Sequence, residues 1–382
     1  MRWFPILTAS LVMLAAAPLQ ADEAPGLRVV EGELLLEGEP FRGIGVNFFD
    51  AFYRVLQDGD NTTYEQGFET LGEMGIPFAR FMAAGFWPDH MRLYLDDREE
   101  YFRRLDKVIA SAQEHGVGLI PSLFWFYGCV PDLVGEPASA WGDPDSRTRA
   151  FMERYTRDVV ERYRHSPTIW AWEFGNEYNL PADLPNAEHH RPQLNPALGT
   201  PQRRTEADDV THAMLRSAMQ AFAELVRELD GQRMISAGTA SPRPYAWHNK
   251  VEGTWDHDAP HQTAAMWAGD NPDPVDTLGA RDYAHHGEDR PDWLIGLHVA
   301  RALDKVLFVG EFGMRGESFS DRDRERFHQQ LGRIERHVPL AALWVYDLHH
   351  QVGEWSITAD SARAWQLEAI AEANQRLRDR QP

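Results

Sequence analysis

A single cysteine, Cys129, and only three lysines stand out as shortages in this chain of 382 residues. One cysteine excludes an internal disulfide and any Cys cluster that could hold zinc or iron–sulfur. Positive charge is scarce as well: 38 Lys plus Arg face 59 Asp plus Glu, a formal charge of −21. A protein this acidic is repelled by nucleic acid and by anionic membranes, which leaves neutral partners. No HExxH, GxSxG or phosphate-binding glycine loop occurs, so zinc protease, serine hydrolase and NTPase chemistry find no support. Asp58-Gly59-Asp60-Asn61 lacks the spacing of a calcium-binding EF-hand loop. The sequence therefore calls for no metal and no cofactor.

Long apolar runs are confined to the N-terminus. Arg2, an apolar stretch from Trp3 to Ala17 and the small residue Ala21 after Leu19-Gln20 form the pattern of a secretory signal. The stretch is shorter than the ~20 residues a spanning helix needs. Residues 1–21 are thus expected to be cleaved, giving a secreted or periplasmic protein that is free of the membrane and relies on its core rather than on disulfides. Residues 22–382 show no internal repeat, low-complexity tract or linker, and are read as one domain. Their hydrophobic content, 43% over the whole chain, is enough for a substantial core.

A small hairpin is expected at Leu27–Val30 and Glu33–Leu36, around Glu31-Gly32. Short apolar strands then alternate with amphipathic helices. The expected strands are 43–47, 76–81, 118–123, 169–173, 233–238, 275–281, 306–310 and 341–346. Most are continuous apolar runs, as parallel strands buried on both faces should be. Helical stripes fill the gaps, for example Phe151, Tyr155, Val159 and Tyr163, or Phe327, Leu331, Ile334 and Val338. Gly116 and Gly231 mark helix ends; Asp321 and Asp360 mark helix starts. A doubly wound sheet also alternates strand and helix. The count of eight units, and carboxylates at the ends of two distant strands, favour a (β/α)8 TIM barrel with a short N-terminal β-hairpin. The longest non-periodic stretch, 178–205, follows the fourth strand and so belongs to the face where barrel enzymes place their active sites.

Two segments carry chemistry. In Ser166–Tyr178 (SPTIWAWEFGNEY) an apolar strand ends in Asn176-Glu177; in Val306–Gly313 (VLFVGEFG) another ends in Glu311. An acid at the end of a buried strand is costly unless the strand delivers it to a cleft. The two Glu are 134 residues apart, the distance of three βα units of about 45 residues each. On the fourth and seventh strands of a barrel they would face one central mouth.

These residues resemble glycoside hydrolase clan A, most closely family 5, the cellulase and β-mannanase superfamily. The clan carries an Asn-Glu pair after the fourth strand and a second Glu after the seventh; the run PTIWAWEFGNE leans towards the β-mannanase branch. The resemblance spans the barrel, from Gly43–Asn47 to Leu343-Trp344. It implies a retaining hydrolase of neutral β-linked poly- or oligosaccharides, β-mannan or β-glucan, with Glu311 as nucleophile and Glu177 as acid/base. It further implies Arg80 beside the nucleophile, Asn176 on the sugar 2-hydroxyl, Tyr283 donating to the nucleophile and Trp344 beneath the reacting sugar.

The chain also departs from that pattern. Arg281 stands where the family has a His two places before the sixth-strand Tyr, with His285 and His286 following Tyr283; either the alignment slips by a few residues or the site has lost that His. Phe124-Trp125 replaces a third-strand His, and Tyr178 replaces the Pro that commonly follows Asn-Glu. Among aromatics near strand ends (Phe48, Phe49, Phe86, Trp87, Trp125, Tyr127, Trp247, Trp355), Trp87 and Trp125 are the preferred sugar platforms, since an indole face suits the CH face of a sugar. His248, His349 and His350 are further contact candidates. Two other readings of the same scaffold stay open: a carbohydrate-binding protein without catalysis, and a transglycosylase in which a sugar replaces water.

Overall fold

The structure is a computed structural model that describes residues 25–283 and 293–380. The expected signal segment 1–21 and the pair His285 and His286 lie outside the described residues.

The chain opens with an antiparallel sheet of β1 (Leu27–Val30), β2 (Glu33–Leu36) and β3 (Glu39–Pro40). Its first turn uses positive φ at Glu31 (52°) and Gly32 (76°), the backbone twist that suits a two-residue hairpin. This sheet plugs the floor of the barrel. Leu27 and Leu34 pack against Phe78, Ile120, Ala171, Met234, Val306, Phe308 and Leu340, which come from six barrel strands. Leu27 N also donates to Trp170 O (2.7 Å).

The barrel strands are β4 (Gly43–Asn47), β5 (Phe78–Met82), β6 (Gly118–Phe124), β7 (Ala171–Gly175), β8 (Met234–Ser236), β9 (Thr277–Tyr283), β10 (Val306–Gly313) and β11 (Leu340–Leu343). They run parallel in the order β8-β7-β6-β5-β4-β11-β10-β9. Among the described residues no ladder joins β8 to β9. There Asp276 N donates to Ile235 O (2.9 Å), and Ile235 N donates to the Asp276 carboxylate (2.7 Å). The fold is the expected barrel, with eight parallel strands nearly closed on themselves.

Helices surround the strands because their apolar stripes match. Phe151, Tyr155, Val159 and Tyr163 of helix Arg147–Tyr163 are all buried, each contributing about 1.5–3 kcal/mol. The Ser146 side chain accepts from Arg149 N to cap that helix. Gly116 takes the left-handed turn after Arg98–Glu114, at φ 68°. Two helix starts differ from the sequence reading. Ser320, not Asp321, caps Asp321–His337, because its hydroxyl accepts from Asp323 N. The last helix starts at Ala364, and Asp360 instead accepts from Thr358 Oγ1 (2.5 Å) in the turn before it. Four short helices, Ala51–Gln57, Arg92–Asp96, Cys129–Val134 and Ala246–Glu252, lacked enough turns to show a period in the sequence.

Register places the polar residues. Asn47 pairs with Arg80, and Glu173 lies between Ser122 and Ser236. The register of β10 slips between Val309 and Glu311, so Gly310 is skipped, Glu311 comes opposite Arg281, and Gly313 opposite Tyr283. The apolar floor thus gives way to a polar layer at the C-terminal ends of the strands, where the site is built.

Candidate active site

Arg80 organises the polar layer. It is fully buried, which is tolerable for a guanidinium only when its donors are matched. Its Nε donates to Glu173 Oε1 (2.7 Å), its Nη1 to Asn47 Oδ1 (3.0 Å) and Glu311 Oε1 (3.2 Å), and its Nη2 to Asn176 Oδ1 (2.8 Å). Four strand ends are tied together by one side chain. Trp125 lies against the same guanidinium, 4.3 Å from ring centroid to Cζ, a desolvated cation–π contact.

The structure brings Glu177 and Glu311 together, as the strand positions predict. Both touch Arg281 Nε, Glu177 Oε1 at 3.1 Å and Glu311 Oε1 at 3.3 Å. Tyr283 OH donates to the other oxygen of Glu311. Of the two alternatives for β9, the structure places Arg281 and Tyr283 themselves beside the two carboxyls. Glu177 sits at φ 55°, a region that non-glycine residues seldom occupy, and its N–H donates to Gly238 O (2.9 Å). Gly238 can have no side chain, since a Cβ there would lie 1.8 Å from Gly175 O.

Electrostatics set the two carboxyls apart. Burial, and then the charge of Glu311, push Glu177 above the usual carboxylate range, while Arg281 and Arg80 pull it partly back. Burial and the adjoining Glu311 push the Tyr283 phenol far up, so it remains a donor. Burial works against the charge on Arg281, but Glu311 and Glu177 more than offset it and hold that guanidinium above its ordinary value.

No protein-family model matches the sequence. Mannan endo-1,4-beta-mannosidase 2 of Oryza sativa subsp. japonica is 28% identical, over 93% of this chain and 78% of that protein. Mannan endo-1,4-beta-mannosidase 7 of Arabidopsis thaliana is 26% identical, over 47% of each, so this chain is matched to less than half of that relative's length. In fold, the chain is similar to a family 5 glycoside hydrolase mannosidase from Rhizomucor miehei. The TM-score is 0.64 over 94% of this chain and all of the other, at 14% identity. The chain resembles the family 5 mannanases of glycoside hydrolase clan A in sequence and shares their fold.

The cleft beside Glu177 has a volume of ≈ 460 Å³. Phe86, Trp125, Phe126 and Tyr127 line it, together with Asn176, Leu180 and Pro181, and His189–Gln193 of the long loop complete it. That loop is pinned: Tyr127 OH donates to His190 O (2.7 Å), and Arg204 clamps Asp132 through both oxygens (2.6 and 2.7 Å). Of the two preferred platforms, Trp125 lies in the lining. Trp87 lies outside that lining and packs edge-on against Phe86 and Phe126 (5.0 and 5.6 Å), two rings that are themselves parallel and 4.9 Å apart. Trp344 is half-buried beside Trp125 (6.1 Å), and its indole N–H is spent on Gln351 Oε1 (2.9 Å).

The remaining candidates divide. Trp355 packs on Tyr283 (5.0 Å), and Phe49 on Trp125 (4.9 Å). Phe48 is core, packed on Phe68 and Tyr346. Trp247 packs on His248, which is bound to Asp258 (2.8 Å), while His349 and His350 are exposed after β11. The replacement Tyr178 is fully buried and donates to Phe124 O (2.6 Å), which ties the end of β7 to β6. Two participants were missed in the sequence, Asn47 and Glu173. Glu173 did leave a signal: it is a charge inside an otherwise apolar strand, and it needed a buried partner such as Arg80.

Proposed function

We propose that this chain is an exported retaining hydrolase of neutral β-linked glycans, with β-1,4-mannan as its substrate. The observation that carries the chemistry is the convergence of Glu177 and Glu311 on one nitrogen, Arg281 Nε. The two contacts to that nitrogen, 3.1 and 3.3 Å laid end to end, bound the separation of those oxygens. That bound suits the about 5–5.5 Å of a retaining pair better than the about 6.5–9.5 Å of an inverting one, which must admit a water. The curated relatives named for mannan support the substrate class. The positive start at Arg2 and the apolar run that follows it support export.

In this mechanism Glu311 attacks the anomeric carbon. It accepts from two guanidinium groups and a phenol, the donor set of an anion. Glu177, raised by burial and by Glu311, starts protonated and delivers its proton to the leaving oxygen. Once the sugar esterifies Glu311 its charge is gone, the acidity of Glu177 rises, and Glu177 becomes the base that activates water. Asn176, fixed by Arg80 and Arg281, holds the 2-hydroxyl, and the aromatic wall of the cleft takes the CH faces of neighbouring sugars.

A panel of β-mannans, β-glucans, polyuronates and aryl β-glycosides with product analysis tests this reading. Release of manno-oligosaccharides from β-mannan is expected. Hydrolysis of β-glucan alone would reassign the sugar, and activity confined to polyuronates would overturn the neutral-glycan reading.

A further inference from the structure

We propose that Arg281 is a positioning residue: one guanidinium fixes Glu177, Glu311 and Asn176 in their mutual geometry and keeps no donor for the substrate. The inference rests on the roles proposed above for the two glutamates.

Every N–H of the group has a protein acceptor. Nε faces Glu177 and Glu311 (3.1 and 3.3 Å). Nη1 donates to Thr239 O (3.2 Å) and Ala280 O (2.9 Å), and Nη2 to Asn176 Oδ1 (2.5 Å) and Gly238 O (3.3 Å). The three carbonyls anchor the guanidinium, and the three side chains are what it holds in turn. Its side chain is only 7% exposed. The surrounding backbone is shaped to admit it, since a Cβ on Gly310 would lie 2.7 Å from Arg281 Nη1. The slipped register at Gly310 is also what sets Glu311 opposite Arg281.

A fixed cation here has a second consequence. Glu177 faces Glu311, Tyr283, Arg80 and Arg281, and His189, His190 and Arg191 share the lining of its cleft. Glu311 and burial favour its acid form, whereas Arg281 and Arg80 favour its anion. Removing the charge of Arg281 therefore keeps Glu177 protonated to higher pH. The alkaline limb of kcat/KM, which reports the acid of the free enzyme, should follow it.

Two variants of the full chain separate geometry from charge. Arg281→Gln should lower kcat by about 10²-fold, the loss typical of a misplaced reacting group, with KM unchanged and the alkaline limb moved to higher pH. Arg281→Lys keeps the charge but cannot make the planar set of contacts, so it should lose kcat with the limb left in place. Carboxyl carbon-13 NMR of Glu177, assigned against Glu177→Gln, gives the same titration without any substrate and stays informative if the glycan reading fails. Glu177 should titrate higher in Arg281→Gln than in wild type, and Arg281→Lys should match wild type. An increase in KM at constant kcat would show that Arg281 binds substrate and overturn the proposal. So would a Glu177 titration that is the same in Arg281→Gln and wild type.

Discussion

Glu311→Ala is expected to abolish turnover on every substrate, aryl glycosides with good leaving groups included, because no covalent intermediate can form without the nucleophile. Glu177→Ala should behave differently. Dinitrophenolate leaves without a proton, so this variant should still glycosylate rapidly from a dinitrophenyl β-glycoside. Its deglycosylation should be slow, since nothing activates water, and the intermediate should accumulate. Azide should speed its turnover and yield the β-glycosyl azide, because an anionic nucleophile needs no base. On substrates with poor leaving groups the loss should be at least about 10²–10⁴-fold, the usual worth of general acid–base assistance. The assignment is falsified if Glu311→Ala gives the β-azide and Glu177→Ala the α-azide, which would exchange the two roles.

Arg80 should show the second-largest effect, and on stability as well as rate. It is fully buried and serves Glu173, Asn47, Glu311 and Asn176 at once. Arg80→Met leaves Glu173 buried with Ser236 Oγ (3.1 Å) as its remaining donor. Breaking a buried pair from one side costs about 3–5 kcal/mol, visible as a lower midpoint in urea or thermal unfolding. Pairing Arg80→Met with Glu173→Gln removes the stranded charge, so part of the stability should return. Activity should not return, because Glu311 and Asn176 still lack the Arg80 donors and are held by Arg281 and, for Glu311, Tyr283 alone. Arg80→Lys should fold but lose about 10²-fold or more in kcat, since an ammonium is a point donor and cannot hold several acceptors in one plane. An Arg80→Met variant as stable as wild type would refute the account of the polar layer.

Much of this arrangement was legible in the sequence because it depends on short-range patterns. Continuous apolar runs such as 118–123 and 306–310 exposed the buried parallel strands, and the helical stripes between them set the count of eight. The end of each run showed which carboxylates the barrel would present. What remained hidden depends on contacts between distant strands. Asn47 looks like any polar residue at a strand end until register sets it beside Arg80. The conformation of Glu177 is made by Gly238, 61 residues on in the chain, whose missing Cβ leaves room for Gly175 O. Arg281 could be seen as a substitution at a site position, but not as a residue whose donors are all spent. Trp87 shows the opposite limit: an aromatic at a strand end looks the same whether it lines the cleft or packs against the rings that do.

The central claim is a double displacement by Glu311 and Glu177, and its most direct test is the anomeric configuration of the first product. Proton NMR of a β-linked oligosaccharide during the earliest turnovers, before mutarotation, should show the β-anomer alone, with the α-anomer growing in later. An α-anomer released first would mean a single displacement by water and would contradict the assignment of Glu311 as a nucleophile.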